Sequence, residues 1–183
     1  MNGLLGNWNN KFHIGTKNWH MNFDKYNQEL FILANSWNGN YFVTTGPGGF
    51  MGTRSIIAFL LGFTLYSNKT LYGFNLLLDI LPVIYPSNID KKHKKIIYIY
   101  QDLNRFFYAV DEDNLKTRKF NLLSPNEVEL LLLDAHDYHL VGNWDKCHVI
   151  IPLDFYTILK TIEFLYSKDK EKYLFNKIDY CNW

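Results

Sequence analysis

Four of the chain's eleven glycines fall within the seven residues Gly46 to Gly52, between a short run, "YFVTT", and a long one, "TRSIIAFLLGFTLY". A β-branched and aromatic run, a glycine turn and an apolar helix in that order restrict the local fold to a strand-turn-helix unit. Such a turn serves one of two ends. It cradles a phosphate on backbone N–H groups at the helix N-terminus, or it lets the helix start close to something it packs against.

Phosphate loops add a lysine or a distal acid, and this one has neither a lysine nor the Walker spacing. The dinucleotide fingerprint also fails, because Met51 stands where the third glycine belongs after Gly46 and Gly48. The helix says more. Arg54, Ala58, Gly62 and Tyr66 step by four and share one stripe, a small-xxx-small pair flanked by a cation and a phenol. Ile56, Ile57, Phe59, Leu60, Leu61, Phe63 and Leu65 make the rest apolar nearly all round, as in a helix buried on several sides. Glycine inside a helix costs about 1 kcal/mol relative to alanine, so Gly62 marks a close approach of another backbone. That backbone belongs either to the chain's own sheet or to a partner.

Upstream, Phe23, Tyr26, Leu30, Leu33 and Trp37 recur at three- and four-residue steps and predict an amphipathic helix from Phe23 to Trp37. Downstream, "NKTLYGFN" predicts a strand, and "LLLDILPVIY" a helix that Pro82 kinks or stops. Ile96 to Tyr100, Arg105 to Val110 and "TRKFNLL" predict a β-meander. Ser124, Pro125 and Glu127 form a capping box for a helix running to about Leu133. "YHLVGNW" and "CHVII" predict strands, "LDFYTILKTIEFLY" an amphipathic helix, and "SKDKEKY" a solvated connection. The order gives an α/β protein of two lobes, residues 1–90 and 91–183, joined near Ser87 to Lys95. No internal repeat is evident.

With 19 basic and 18 acidic residues in 183, no general field attracts nucleic acid or an anionic membrane. Lys91, Lys92, His93, Lys94 and Lys95 read as a solvated strand entrance. Two cysteines, Cys147 and Cys181, make neither a disulfide framework nor a four-thiolate zinc site and fit a reducing compartment. No run approaches a membrane span and the N-terminus lacks a secretory pattern, so a cytoplasmic protein is expected. Asp134, His136 and His139 could bind a divalent metal, but the segment reads as a solvated helix end, so no metal is expected. Cys147 and His148, as adjacent strand residues, point to opposite faces and form no nucleophile–base pair. The five tryptophans are not interleaved with lysine or arginine and read as core and interface filling.

"GPGGFMGTRSIIAFLLGF" resembles the Gly-Pro-Gly-Ser-Phe-Thr-Gly-Leu-Arg segment and following helix of the bacterial TsaB (YeaZ) family. Gly46, Pro47, Gly48, Phe50 and Gly52 match the loop, with Gly49 beside them, and Arg54, Ala58 and Gly62 match the helix in register. "LLSPNEVELLL" and "YHLVGNW" resemble that family's capped helix and Leu-Val-Gly-Asp strand, and the likeness runs from about Tyr41 to Trp183. The family's opening Asp-Thr-Ser strand is not recognisable here, and Tyr100, Gln101 and Asp102 stand where it has Asp-Ala-Arg. The resemblance implies an actin-like fold, that of sugar kinases, heat-shock chaperones and actin, with ribonuclease H-like lobes and a reduced N-terminal lobe. It implies a noncatalytic, cofactor-free subunit of the complex that makes threonylcarbamoyladenosine at tRNA adenosine 37. Its partner is a TsaD-like transferase, with a TsaE-like ATPase as third member and tRNA touched only indirectly. Pairing uses the helices flanking the loop, which places Tyr26, Leu30, Leu33, Arg54, Ala58, Gly62 and Tyr66 at the interface. Alone, the chain is expected to homodimerise through the same helices, because an exposed apolar stripe seeks burial. The alternative within the same fold is a kinase-like enzyme holding a nucleotide on Gly46 to Gly52.

Overall fold

A computed structural model of the chain describes residues 5–8, 11–14, 39–46, 50–85, 95–102, 105–111, 121–124, 126–128, 130 and 138–175. Two compact units divide the chain: Met1–Phe74 with Ile162–Trp183, and Asn75–Thr161. The expected lobes ran 1–90 and 91–183; of the segment expected to join them, only Lys95 is among the described residues.

In the first unit, β1 (Leu5–Trp8) and β2 (Lys11–Ile14) form an antiparallel hairpin, and β1 lies beside β3 (Tyr41–Thr44). β3 pairs in parallel with β4 (Leu71–Phe74), Tyr41 opposite Leu71 and Thr44 opposite Phe74. Parallel strands need a crossover, and α1 (Phe50–Tyr66) supplies it. Both strands are apolar at nearly every position, as strands covered on both faces are. On one face Tyr41 meets Phe63 of α1 edge to face at 6.4 Å, with Ile57 and Leu60 of α1 buried. On the other, Phe42 stacks on Tyr72 at 5.6 Å, and Tyr166 stands edge-on to both rings at 5.1 and 4.9 Å. The expected helix from Phe23 to Trp37 lies outside the described residues.

In the second unit the strands are β5 (Lys95–Asp102), β6 (Arg105–Asp111), β7 (Asn121–Leu123), β8 (Tyr138–Gly142) and β9 (Val149–Ile150). Their order across the sheet is β7-β6-β5-β8-β9, and β6 alone runs against the others. The expected meander forms with Asp102 opposite Arg105, and β8 then joins the free side of β5 in parallel. Ile97, Ile99, Leu123, Val128, Leu140, Trp144 and Cys147 pack together as this unit's core. Trp144 stands edge-on to Phe106 at 5.2 Å, which bears out its reading as core filling.

Pro82 neither stops nor kinks a regular α-helix. Asn75 accepts the N–H groups of Leu77 and Leu78, and a π-turn, Leu76–Ile80, follows with the Ile80 N–H reaching the Asn75 carbonyl at 3.1 Å. α2 (Leu81–Ile84) begins after it, so Pro82 occupies a first turn, where its missing donor is not needed. The chain widens to a π-turn before the proline instead of breaking at it.

The capping box forms as expected. Ser124 N–H and Oγ both donate to Glu127 Oε2 at 2.7 Å, and Glu127 N–H returns a longer bond to Ser124 Oγ. A second cap starts α3 (Phe155–Lys168), where Asp154 accepts the Thr157 N–H at 2.9 Å and its hydroxyl at 2.7 Å. These bonds hold both carboxyls below their ordinary titration range, and a carboxyl held low stabilises the fold above its unfolded-state value and loses that contribution as pH falls. Acid unfolding is therefore expected to shift to higher pH in a Ser124→Ala, Asp154→Ala double variant, as followed by circular dichroism. An unchanged acid midpoint would show that the caps contribute nothing.

The solvated connection expected from Ser167 to Tyr173 is only partly so. After α3 a 3-10 turn, Glu171–Tyr173, buries Tyr173 and returns the chain to β4, where Leu174 bridges Tyr72.

Candidate functional site

At the end of β3, Thr45 donates its N–H to the Phe74 carbonyl at 2.9 Å, and Gly46 follows with φ 125°, a left-handed conformation that favours glycine. Pro47, Gly48 and Gly49 lie outside the described residues. Phe50 and Gly52, expected in the loop, stand instead in the first turn of α1, which begins three residues earlier than the expected Thr53. The apolar run "FMG" joins the helix because no proline or cap separates it from Thr53.

Two sides of α1 differ in what they meet. Ile57 and Leu60 are buried, and Phe63 meets Tyr41 of the sheet. Of the stripe, Arg54 is half-buried, Ala58 is exposed and Tyr66 is 94% exposed. Among the described residues, and apart from its own helix backbone and chain neighbours, no heavy atom lies within 4 Å of the point where a Cβ on Gly62 would stand, and Leu65 is 67% exposed. Among the described residues the reading in which Ala58 and Gly62 let α1 sit close to its own sheet is replaced: Phe63 meets Tyr41, Ile57 and Leu60 are buried, Ala58 is exposed and nothing packs on Gly62. The helix keeps a glycine there at about 1 kcal/mol of its own stability. Tyr26, Leu30 and Leu33, expected on the other pairing helix, lie outside the described residues.

The remaining candidates separate. Asp134 and His136 lie outside the described residues, while His139 sits in β8 with its ring stacked on His148 at 5.2 Å. Among the described residues no group of three His, Cys, Asp or Glu is placed to hold a metal. Cys147 and His148 precede β9 instead of lying in it, and they differ in exposure. Cys147 is buried, and His148 Nδ1 accepts the Leu140 N–H at 2.9 Å, adding a rung beside β9.

Burial pushes the Cys147 thiol up to about 11. Its thiolate is scarce at neutral pH, so in a Cys181→Ser background Ellman's reagent at pH 8 is expected to leave the native protein unmodified and to label it on denaturation. Stability is unaffected while both states hold the proton. Above pH 9 the unfolded thiol ionises and the folded one does not, so stability falls from pH 9 towards 11. Rapid native labelling would show that Cys147 is open to solvent.

Sequence reasoning did not single out Gly142 and Asn143. A Cβ on Gly142 would overlap the Ile99 carbonyl oxygen of its register partner and stand 2.8 Å from the Ile99 carbonyl carbon. Asn143 then replaces a backbone rung, accepting the Gln101 N–H at 2.7 Å and donating to the Gln101 carbonyl at 3.0 Å. The "LVGN" run was the available signal, a glycine inside a strand marking close backbone approach. Among the described residues no helix is long and apolar enough to cross a membrane.

Numbered by appearance within the second unit, the strands lie in the order 3-2-1-4-5 with only the second reversed, a mixed α/β arrangement. A solved structure shares the fold over nearly the whole chain. It is a Pseudomonas aeruginosa protein described as uncharacterized with similarity to peptidase YeaZ, at TM-score 0.50 and 12% identity, covering 93% of this chain and 94% of that one. YeaZ from Pseudomonas aeruginosa aligns at TM-score 0.46 and 11% identity, covering 91% and 94%. No protein-family model and no curated protein sequence matches the chain.

Proposed function

We propose that this chain is a noncatalytic, TsaB-like subunit of the complex that forms threonylcarbamoyladenosine at adenosine 37 of tRNA, and that it binds and supports a TsaD-like transferase. The observation that carries the reading is the outward stripe of α1. Ala58 is exposed and, among the described residues, nothing outside its own helix packs on Gly62, in register with the Arg-Ala-Gly helix of the family, on a fold shared with a YeaZ-like structure. Small residues let a second backbone approach, and Leu65 and Tyr66 supply apolar area at roughly 25 cal/mol per Å² buried. Under this reading the subunit is cytoplasmic, needs no cofactor, meets tRNA through its partner and shares the complex with a TsaE-like ATPase. Two copies pair through the same face when the partner is absent.

Co-expression with the TsaD-like protein of the same organism, affinity purification and mass determination test it. A stoichiometric heterocomplex is expected. Two folded proteins that purify separately would overturn it, and micromolar binding of ATP with magnesium would favour the kinase-like alternative on Gly46 to Gly52.

A further inference from the structure

The segment after α3 is built into the sheet that launches the docking helix. Tyr173 stacks on Phe74 at 4.5 Å, Leu174 bridges Tyr72, and the Phe175 N–H donates to the Leu71 carbonyl at 2.9 Å. β4 thus has β3 on one side and residues 174–175 on the other. Phe175 is buried, and its ring occupies the space a side chain at position 73 would take. A Cβ on Gly73 would stand 2.7 Å from Phe175 Cδ2 and 2.6 Å from Thr45 Cγ2. In the parallel register Gly73 pairs with Val43, and the pleat puts both on the face of Tyr41, which meets Phe63 of α1. The ring therefore closes on the α1 side of the sheet, against the residue that precedes Gly46.

We infer that Phe175 is a positioning residue for the docking helix: its ring, seated over Gly73 against Thr45, fixes the end of β3 from which the chain turns through Gly46 into α1. A side chain more than 100 positions away in sequence sets where α1 begins. The missing Cβ of Gly73 makes room for it, and the Thr45 N–H bond to Phe74 completes the clamp. The consequence for pairing rests on the function proposed above; the coupling inside the chain does not.

Hydrogen exchange by mass spectrometry on full-length Phe175→Ala tests the coupling, with partner affinity measured in parallel. Exchange in peptides covering residues 41–60 is expected to rise about tenfold while peptides of β5, β6 and β8 stay unchanged. Affinity for the TsaD-like partner should fall about tenfold, most of which Phe175→Leu restores by refilling the space. Unchanged exchange at 41–60, or a rise spread evenly over all peptides, would overturn the inference. If Phe175→Ala does not fold, Phe175→Leu and Gly73→Ala are compared instead, and local loosening is expected in the second alone. A wild-type chain that never pairs would sink the proposed function, and the exchange result would still decide this inference.

Discussion

Gly142→Ala is expected to lower stability by on the order of 3 kcal/mol or more, the upper end of what overpacking costs. The added methyl would run into the Ile99 carbonyl of β5, and a backbone inside a ladder cannot rotate away as a side chain can. Nor is the other side of β8 free to yield, since Ile151 donates its N–H to the Gly142 carbonyl at 2.6 Å. For a chain of this size that corresponds to a melting temperature lower by roughly 10 °C. Gly73→Ala is the comparison. Its clash is with the Thr45 methyl and the Phe175 ring, which can turn aside, so its loss should be smaller. Equal melting of wild type and Gly142→Ala would mean that β8 does not pack on β5 as described.

On the outward face of α1 the expected results run the opposite way. Gly62→Ala should raise the stability of the isolated chain by about 0.5–1 kcal/mol, because helix propensity improves and the new methyl meets no described residue outside its own helix within 4 Å. Gly62→Leu and Ala58→Leu should leave the isolated chain folded and abolish recovery of the TsaD-like partner, since a bulky side chain holds the facing backbone away. An unchanged far-ultraviolet spectrum together with lost co-purification is the signature. Retained pairing in both leucine variants would remove the stripe from the interface. A Gly62→Ala chain less stable than wild type would show that the glycine is packed after all.

Much of the local structure is legible because its determinants are close in sequence. The capping box needs only Ser124 and Glu127, three residues apart, and both bonds form. β3 and β4 stand out as apolar runs rich in aromatics, and the meander as short strands separated by turns. Elements whose partners are distant were read incompletely. The hairpin of β1 and β2 lies in polar, asparagine-rich sequence with no strong alternation. Tyr173 reads as the end of a charged connection, because nothing within ten residues says that β4 has a free edge to accept the segment it starts.

The stripe shows the same division within a single helix. Four-residue spacing puts Arg54, Ala58, Gly62 and Tyr66 together by helix geometry alone, but a helix apolar nearly all round has no face that periodicity can assign to the core. By itself the sequence determined the helix, its glycine-bearing stripe, the capped segments and the strands of the meander, because propensity, capping and spacing act over a few residues. Only the tertiary structure decided that Ile57 and Leu60 are buried while Ala58 is exposed, that β8 lies against β5, and that Phe175 closes over Gly73. Those outcomes depend on which surfaces meet across the chain, and close packing selects among faces that the local sequence leaves equivalent.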